Sequence, residues 1–355
     1  MVRAVDLRKT IAAGRKIGTM SARSGKLVSL YAGLQCSALL VLAFTLPACA
    51  QSCVTADEMD AAMSAALTNT AKSYFEMVAR GDATTLRQNA IPSLVASFSG
   101  VEAAVKDNQS VLAATQAAPR PPYLLKAEGT APLERAEFLC GVFGPNGQTA
   151  HSTVFIIPNL PPGNYAITIL DVSTAKGPYT VSFVLQQEGV AWKLGGFYVK
   201  VAQAAAHDGN WFAEKARAFK AKGQTYNAWL YFMEARELFV PVPFMSTLAT
   251  DKLYDEMQTV KPSALPPFDL VAGAKTFKLT ALFPLGVGNE FDVVVKYESA
   301  SVSNTQQTFQ DNMAVIKALA AKYPEFRDAF DGVVARAVEP SGRDYGSLLP
   351  MKEIK

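Results

Sequence analysis

The sequence predicts an α+β fold: helices packed on a curved antiparallel sheet, followed by a helical hairpin and a small α+β unit. Three observations predict it. Apolar residues recur at helical spacing between residues 57 and 113, six strand-like segments separated by Gly- and Pro-rich turns follow, and helical periodicity returns after residue 208. Helices before a run of antiparallel strands form layered α+β architectures. Half of the 355 residues are apolar, which is ample for a buried core.

The first 50 residues are organised like a secretory signal peptide. Seven basic residues and one acidic residue precede an apolar run that is densest over 38–46, and Pro47 and small residues follow. A positive start, an apolar middle and a small-residue end are typical of export signals. We expect cleavage after Ala50 and an exported protein, periplasmic or attached to the cell envelope. Translation from Met20 would give the signal ordinary proportions.

Two alternatives to simple cleavage stay open. Residues 27–46 are long enough to span a bilayer as a retained anchor. The segment Leu46-Pro47-Ala48-Cys49 resembles a bacterial lipobox, which implies lipidation of Cys49. The segment Ala50-Gln51-Ser52-Cys53 is a weaker second candidate, with Cys53 as the lipidated residue. Contact with a membrane is expected only through the signal or such a lipid.

Removal of residues 1–50 changes the formal charge from +3 to −3, because the leader holds seven basic residues and one acidic residue. A mildly acidic body has no basic patch for nucleic acid, so we expect no nucleic-acid partner. Cys53 and Cys140 are the cysteines that remain after cleavage. In an oxidising compartment this pair is a candidate disulfide; two free thiols are the alternative.

Residues 51–204 are the first predicted domain. A helix is expected over 57–80, started by Thr55 or Asp57 and ended by Gly81, with further helical segments over 83–90 and 92–113. The Gly195-Gly196 pair predicts a bulge or bend in the last strand. The expected strands, joined by short hairpin loops, are 123–128, 135–143, 151–157, 165–172, 179–187 and 191–201.

A resemblance supports this architecture. The segment Ser73-Tyr74-Phe75-Glu76-Met77-Val78-Ala79-Arg80-Gly81-Asp82 and the hairpin 181–194, which ends in Trp192-Lys193-Leu194, are similar to the NTF2-like (cystatin-like cone) superfamily. The resemblance covers residues 57–201 and implies a cone-shaped sheet, but this fold hosts enzymes, binding modules and assembly domains alike. Residues 160–165, Leu-Pro-Pro-Gly-Asn-Tyr, also resemble a hairpin of transthyretin-like β-sandwiches, so a sandwich over 123–201 is the alternative.

Two further segments follow. In residues 205–262 the spacing of Ala228, Phe232 and Ala235 resembles a tetratricopeptide-repeat (TPR) hairpin, of which one unit is visible. Residues 263–355 predict a ββαββ unit, with a hairpin around residues 286–289. Its helix, expected over 304–323, would place Phe309, Met313, Ile316, Leu319 and Ala320 on its inner face.

The candidates for chemistry are few. His151 and Asp171, at the ends of predicted strands, would form an acid/base pair if a cone brought them together; a surface histidine and a turn-capping aspartate are the alternative. The candidate ligand-binding side chains are aromatic: Tyr74, Trp192, Trp211 and Trp229. The segment from His207 to Trp211 predicts either a pocket rim or a helix N-cap.

With two histidines and no metal, phosphate-loop or nucleophile motif, the sequence leads us to expect no metal site and no cofactor. We therefore expect an exported cell-envelope protein that is a non-enzymatic binding or assembly module. Its partner would be a small apolar ligand or an envelope protein. The alternatives are a small-molecule isomerase or hydrolase that uses an NTF2-like cavity, and a protein–protein scaffold that uses the aromatic face of the helices.

Overall fold

A computed structural model describes residues 51–145 and 147–355. The predicted signal peptide, the Met20 start and the lipidation candidate Cys49 lie outside the described residues. Within them, no helix is both long enough and apolar enough to cross a membrane.

The chain enters its first helix later than predicted. The side chain of Asp60 accepts a hydrogen bond from Met63 N at 2.8 Å, so Asp60 is the N-cap, not Thr55 or Asp57. Thr55 instead donates from its backbone to Glu58 in the preceding turn. Gly81 ends the helix in the left-handed conformation, as predicted. The helices of this region are α1 (Ala61–Arg80), α2 (Ala83–Gln88), α3 (Pro92–Val95) and α4 (Ser99–Leu112).

All six predicted strands are present, but they divide between two antiparallel sheets. The hairpin of β4 (Leu133–Gly144) and β5 (Gly147–Leu160) leaves the meander and forms a three-stranded sheet with β9 (Met245–Thr247). The remaining strands form a six-stranded sheet, in which β3 pairs directly with β6. Its members are β1 (Gln51–Val54), β2 (Ala117–Pro119), β3 (Tyr123–Ala127), β6 (Gly163–Thr174), β7 (Gly177–Glu188) and β8 (Ala191–Val201).

The six-stranded sheet is covered on both faces. One face packs against α1 and α4, with Val181 and Phe183 of β7 in that core. The other face meets the three-stranded sheet across a second core that contains Phe138, Phe155 and Ile167. Thr180 and Ser182, on the opposite side of β7 from Val181 and Phe183, are therefore buried as well. The structure shows an α+β architecture with helices on an antiparallel sheet.

Two local predictions in this region are confirmed. The pairing of β7 with β8 shifts register at Gly195, between Gly196 opposite Val184 and Leu194 opposite Leu185, which is the expected bulge. Cys53 and Cys140 form a disulfide, with their Cα atoms 5.1 Å apart. This bond links β1 of the six-stranded sheet to β4 of the three-stranded sheet, and it occupies the sulfur that lipidation of Cys53 would need.

The second half contains a helical hairpin and a mixed sheet. Helices α5 (Gly209–Ala221) and α6 (Thr225–Phe239) form the hairpin, and α7 (Leu248–Thr259) follows. The predicted ββαββ unit gains one leading strand. Its sheet runs in the order β10 (Phe268–Ala272), β11 (Lys275–Val287), β12 (Glu290–Glu298), β13 (Gly332–Val338) and β14 (Asp344–Pro350); α8 (Thr305–Lys322) connects the parallel pair β12 and β13.

One prediction about α8 is wrong. Phe309, expected on the inner face, is 47% exposed. The inner face instead contains Asn312, which accepts a hydrogen bond from the Tyr297 hydroxyl at 2.8 Å and donates to Ser347 Oγ at 2.9 Å. A buried polar network fixes the rotation of the helix because its members must stay paired.

The predicted segments 205–262 and 263–355 share one hydrophobic core. Aromatic residues of the hairpin meet those of the C-terminal unit there, and the group includes Phe212, Tyr231, Phe291 and Phe330. The hairpin thus packs against the C-terminal sheet.

Candidate functional site

A cavity of about 390 Å³ lies where the helical hairpin meets the C-terminal unit. Five of its twelve lining residues are aromatic, and polar side chains come from the segment before α5, from the turn between β11 and β12 and from the loop before β13. The lining residues are Ala205, His207, Trp211, Phe212, Tyr231, Asn289, Phe291, Arg327, Asp328, Ala329, Phe330 and Asp331. Phe212, Tyr231, Phe291 and Phe330 are almost fully buried, so polar side chains form most of the surface that a ligand could reach. A concave site with a few convergent polar groups is a common form of small-molecule site.

The start of α5 places His207 and Trp211 at this cavity. Asp208 caps the helix by accepting a hydrogen bond from Trp211 N at 2.9 Å. The rings of His207 and Trp211 are stacked, with centroids 3.7 Å apart and planes 3° apart. Gly209 permits close packing on α6, because a Cβ there would lie 2.7 Å from the Phe239 ring. The segment is therefore both an N-cap and a pocket rim, the two interpretations that the sequence left open.

Tyr231 forms the centre of the aromatic wall. Its ring centroid lies 5.4 Å from that of Phe212, 5.1 Å from Phe291 and 5.8 Å from Phe330. The hydroxyl donates to the backbone oxygen of Ala329. Burial raises the pKa of Tyr231 far above its usual value, and the charge of Asp331 adds to the effect. Tyr231 is thus a neutral hydrogen-bond donor with a fixed ring position.

Two carboxylates face the cavity without a basic partner. Asp331 accepts from Phe291 N at 2.8 Å, and Asp328 accepts from the side-chain amide of Gln224. Both partners are uncharged. The guanidinium of Arg327 donates to the backbone oxygens of Met351 and Ile354 instead. No ion pair neutralises Asp328 or Asp331 among residues 51–145 and 147–355.

A third carboxylate, that of Asp292, follows Phe291 on β12 and does not line the cavity. Asp292 is 3% exposed, and its Oδ1 has no hydrogen-bond partner in the described part of the chain. Burial raises its pKa to about 6, with the charges of Glu290 and Asp331 adding to the shift. Gly332, its neighbour on β13, leaves room for it, since a Cβ at that position would lie 2.9 Å from Asp292 Oδ1.

His151 and Asp171 are on different sheets. Asp171, on β6, forms a bidentate ion pair with Arg120, with N–O distances of 2.9 and 2.6 Å. His151, on β5, is exposed. A second cavity, of about 340 Å³, is lined by residues near the start of α1 and by β3. Neither cavity is lined by His151 or Asp171.

Of the aromatic binding candidates, Trp211 lines the first cavity. Tyr74 is buried, and its hydroxyl donates to the backbone oxygens of Trp192, at 2.9 Å, and of Asn89. Burial raises the pKa of Tyr74 to about 12. Trp192 packs against the core between α1 and the six-stranded sheet, and Trp229 packs against the core of the second half. Tyr74 therefore joins helix to sheet.

Sequence reasoning missed Asn289, Asp328 and Asp331. Asn289 lies in the hairpin turn between β11 and β12, and the two aspartates lie just before β13, far along the chain from Trp211. No spacing rule links such positions.

In the described residues, no group of three or more His, Cys, Asp or Glu side chains is arranged to hold a metal ion. Comparison of the chain with protein-family models, curated protein sequences and solved structures finds no match.

Proposed function

We propose that this protein is an exported, non-enzymatic binding module of the cell envelope that takes a small ligand into the cavity beside Trp211. The observation that carries the proposal is the cavity itself. Five aromatic side chains and two carboxylates without ion pairs, from separate parts of the chain, line one space of about 390 Å³.

The walls of the cavity are held by contacts that do not depend on a ligand. Tyr231 is bonded to Ala329, Asp331 to the backbone of Phe291, and Asp208 to Trp211 N. A preformed site loses little conformational entropy on binding, which favours affinity. These fixed partners support a binding role, because the Tyr231 hydroxyl and the Asp331 carboxylate already have structural positions.

The export part of the proposal rests on two features. The leader has the composition of a signal peptide, and Cys53 is bonded to Cys140. Disulfides form and persist mainly in oxidising compartments such as the periplasm. The envelope is therefore the location that accounts for both features.

We also propose that residues 57–201 are NTF2-like and that α5 and α6 are a TPR-like hairpin. The support for the first is the packing of α1 and α4 on one face of an antiparallel sheet, with Trp192-Lys193-Leu194 opening its last strand. The support for the second is the burial of Ala228, Phe232 and Ala235.

The structure gives less support to the two alternative functions, the isomerase or hydrolase and the protein–protein scaffold. Asp171 is engaged by Arg120, so its use as an acid or base would require that ion pair to open. Most of the aromatic face of the hairpin packs against the C-terminal unit, including the fully buried Phe212 and Phe232. A scaffold role would therefore need a different surface.

The test fills the cavity. Asn289 is exposed at the rim, and Asn289→Trp should place an indole over the opening. Val190, which is 99% exposed at the tip of the β7–β8 hairpin, gives the matched control Val190→Trp. Native mass spectrometry of protein purified from its host, with thermal-shift screening against sugars, amines, amino acids and organic acids, would identify a ligand.

We expect a bound mass, or a ligand-induced rise in Tm, in the wild type and in Val190→Trp but not in Asn289→Trp. Equal binding by Asn289→Trp and Val190→Trp would show that the ligand binds outside this cavity, which would overturn the proposal. No binding by the wild type in either measurement would overturn the proposal.

A further inference from the structure

We propose that two copies of this chain pack together through the outer face of the C-terminal sheet, the face opposite α8, about a two-fold axis. This surface is separate from the cavity, so the proposal goes beyond the proposed function and does not depend on it.

Strand pleating defines the outer face. The odd-numbered residues of β12 from 291 to 297 belong to the core that includes the buried residues of α8. Successive side chains of a strand point to opposite faces of its sheet. Asp292, Val294 and Lys296 therefore lie on the outer face of β12.

A row of apolar residues crosses this face at right angles to the strands. Strand pairing places Val294 beside Phe283 of β11 and Val334 of β13. Leu348 of β14 lies beside Val334 and ends the row, and it is 46% exposed. In a symmetric dimer, residues on the two-fold axis contact their own counterparts. An axis along this row would stack four apolar residues on four identical ones.

Two opposite charges flank the row. Asp292 lies two residues before Val294 and Lys296 two residues after it. Neither forms an ion pair within residues 51–145 and 147–355. Asp292 is 3% exposed, and its Oδ1 has no hydrogen-bond partner among those residues. An axis through Val294 reverses the direction of β12, so it would place Asp292 of each copy opposite Lys296 of the other.

The rows on either side of the axis are also complementary in size. The row with the carboxylate contains Leu285, Asp292, Gly332 and Pro350. The row with the ammonium contains Ala281, Lys296, Arg336 and Gly346. The two-fold axis would place Leu285 over Ala281, Arg336 over Gly332 and Pro350 over Gly346. Each larger side chain would thus meet a small one.

The second copy would supply what the Asp292 carboxyl lacks. In the separate chain, burial raises the pKa of this group to about 6, so the charged form is disfavoured. Sheets that pack face to face lie about 10 Å apart, a distance that a lysine and an aspartate together can bridge. A lysine ammonium at that position would donate a charge-assisted hydrogen bond to the free oxygen.

The experiment measures the mass of the protein in solution. Sedimentation equilibrium of protein purified from its host would cover concentrations from about 1 to about 100 µM. We expect a dimer at the upper end and dissociation on dilution, because a face with few exposed apolar side chains resembles a small, reversible interface.

Variants assign the interface to this face. Leu348→Asp would bring two carboxylates together on the axis, and Lys296→Glu would place a carboxylate opposite Asp292. Each should raise the dimer Kd at least about tenfold. Lys296→Arg keeps the charge and should still dimerise. Leu139→Asp, at a leucine of β4 that is 55% exposed, is the matched control and should leave the Kd unchanged.

A cysteine on the axis tests the symmetry. Under mild oxidation Leu348→Cys should form a disulfide between copies, and Leu139→Cys should not. A monomer at about 100 µM would overturn the proposal. So would a dimer that Leu348→Asp and Leu139→Asp weaken equally, or equal cross-linking of the two cysteine variants, because the copies would then meet through another surface.

Discussion

The imidazole of His207 lies parallel to the indole of Trp211, with ring centroids 3.7 Å apart. The two residues are four positions apart, and His207 immediately precedes Asp208, the N-cap of α5. The same short segment therefore contains both the start of the helix and the stacked pair. One face of the indole is thereby covered by the imidazole.

Replacement of His207 by Ala should therefore loosen Trp211. Loss of an aromatic pair of this kind costs about 0.5–1.5 kcal/mol. We expect red-shifted, more quenchable fluorescence from Trp211, measured with Trp192 and Trp229 replaced by Phe. Unchanged emission would show that the rest of the cavity wall holds the indole without the stack.

The carboxyl of Asp292 should make stability fall as the pH rises. Its pKa is raised from 3.8 to about 6 in the folded protein, so folding favours the protonated form. Its contribution to stability is greatest below pH 3.8 and is lost as the pH passes through about 6. A shift of this size corresponds to roughly 3 kcal/mol as an upper value.

Asp292→Asn should consequently stabilise the protein at pH 7.5, by about 1–3 kcal/mol, and should have little effect at pH 4. Urea unfolding at both pH values measures this, with Asp107→Asn as the exposed control. A variant that is less stable than wild type at pH 7.5 would show that the charged carboxylate has a favourable partner.

The disulfide between Cys53 and Cys140 closes a long loop, with 87 residues of separation. We expect the double substitution Cys53→Ser and Cys140→Ser to lower the free energy of unfolding by about 2–4 kcal/mol. Reduced wild type should unfold at the same urea concentration as the double variant. If reduction destabilised the double variant too, its effect would not come from this bond.

The orientation of α8 gives a fourth prediction. Asn312→Ala leaves the Tyr297 hydroxyl and Ser347 without their buried partner, which should cost about 1–3 kcal/mol. Phe309→Ser should change stability by less than about 0.5 kcal/mol, because exposed sites tolerate substitution. Thermal unfolding of the two variants compares them directly. A larger loss from Phe309→Ser would support the helical face that the sequence predicted.

Local features of the fold could be predicted from the sequence. Strand alternation and turn residues located the hairpins β4–β5, β6–β7 and β7–β8, and Gly195 marked the bulge, because a hairpin depends on neighbours in sequence. The expected hairpins of β3 with β4 and of β5 with β6 are wrong, since these strands lie in different sheets. The pairing of β3 with β6 joins strands on either side of a whole hairpin, and no local pattern encodes that choice. Phe309 was misplaced for a related reason: the partners of Asn312 come from β12 and β14.

The cavity was predictable only in part. A capping aspartate beside an aromatic residue indicated the rim at His207 and Trp211. No sequence pattern marks Asp328 and Asp331 as cavity residues, because the sequence does not show which loop packs near α5.

The core shared by the hairpin and the C-terminal unit has a consequence for how the site comes into being. Residues 327–331 are translated after every other lining residue, so no fragment that ends before them contains a complete cavity. Binding competence should arise late and all at once, and nonsense mutations anywhere upstream of β13 should yield products that cannot bind at all.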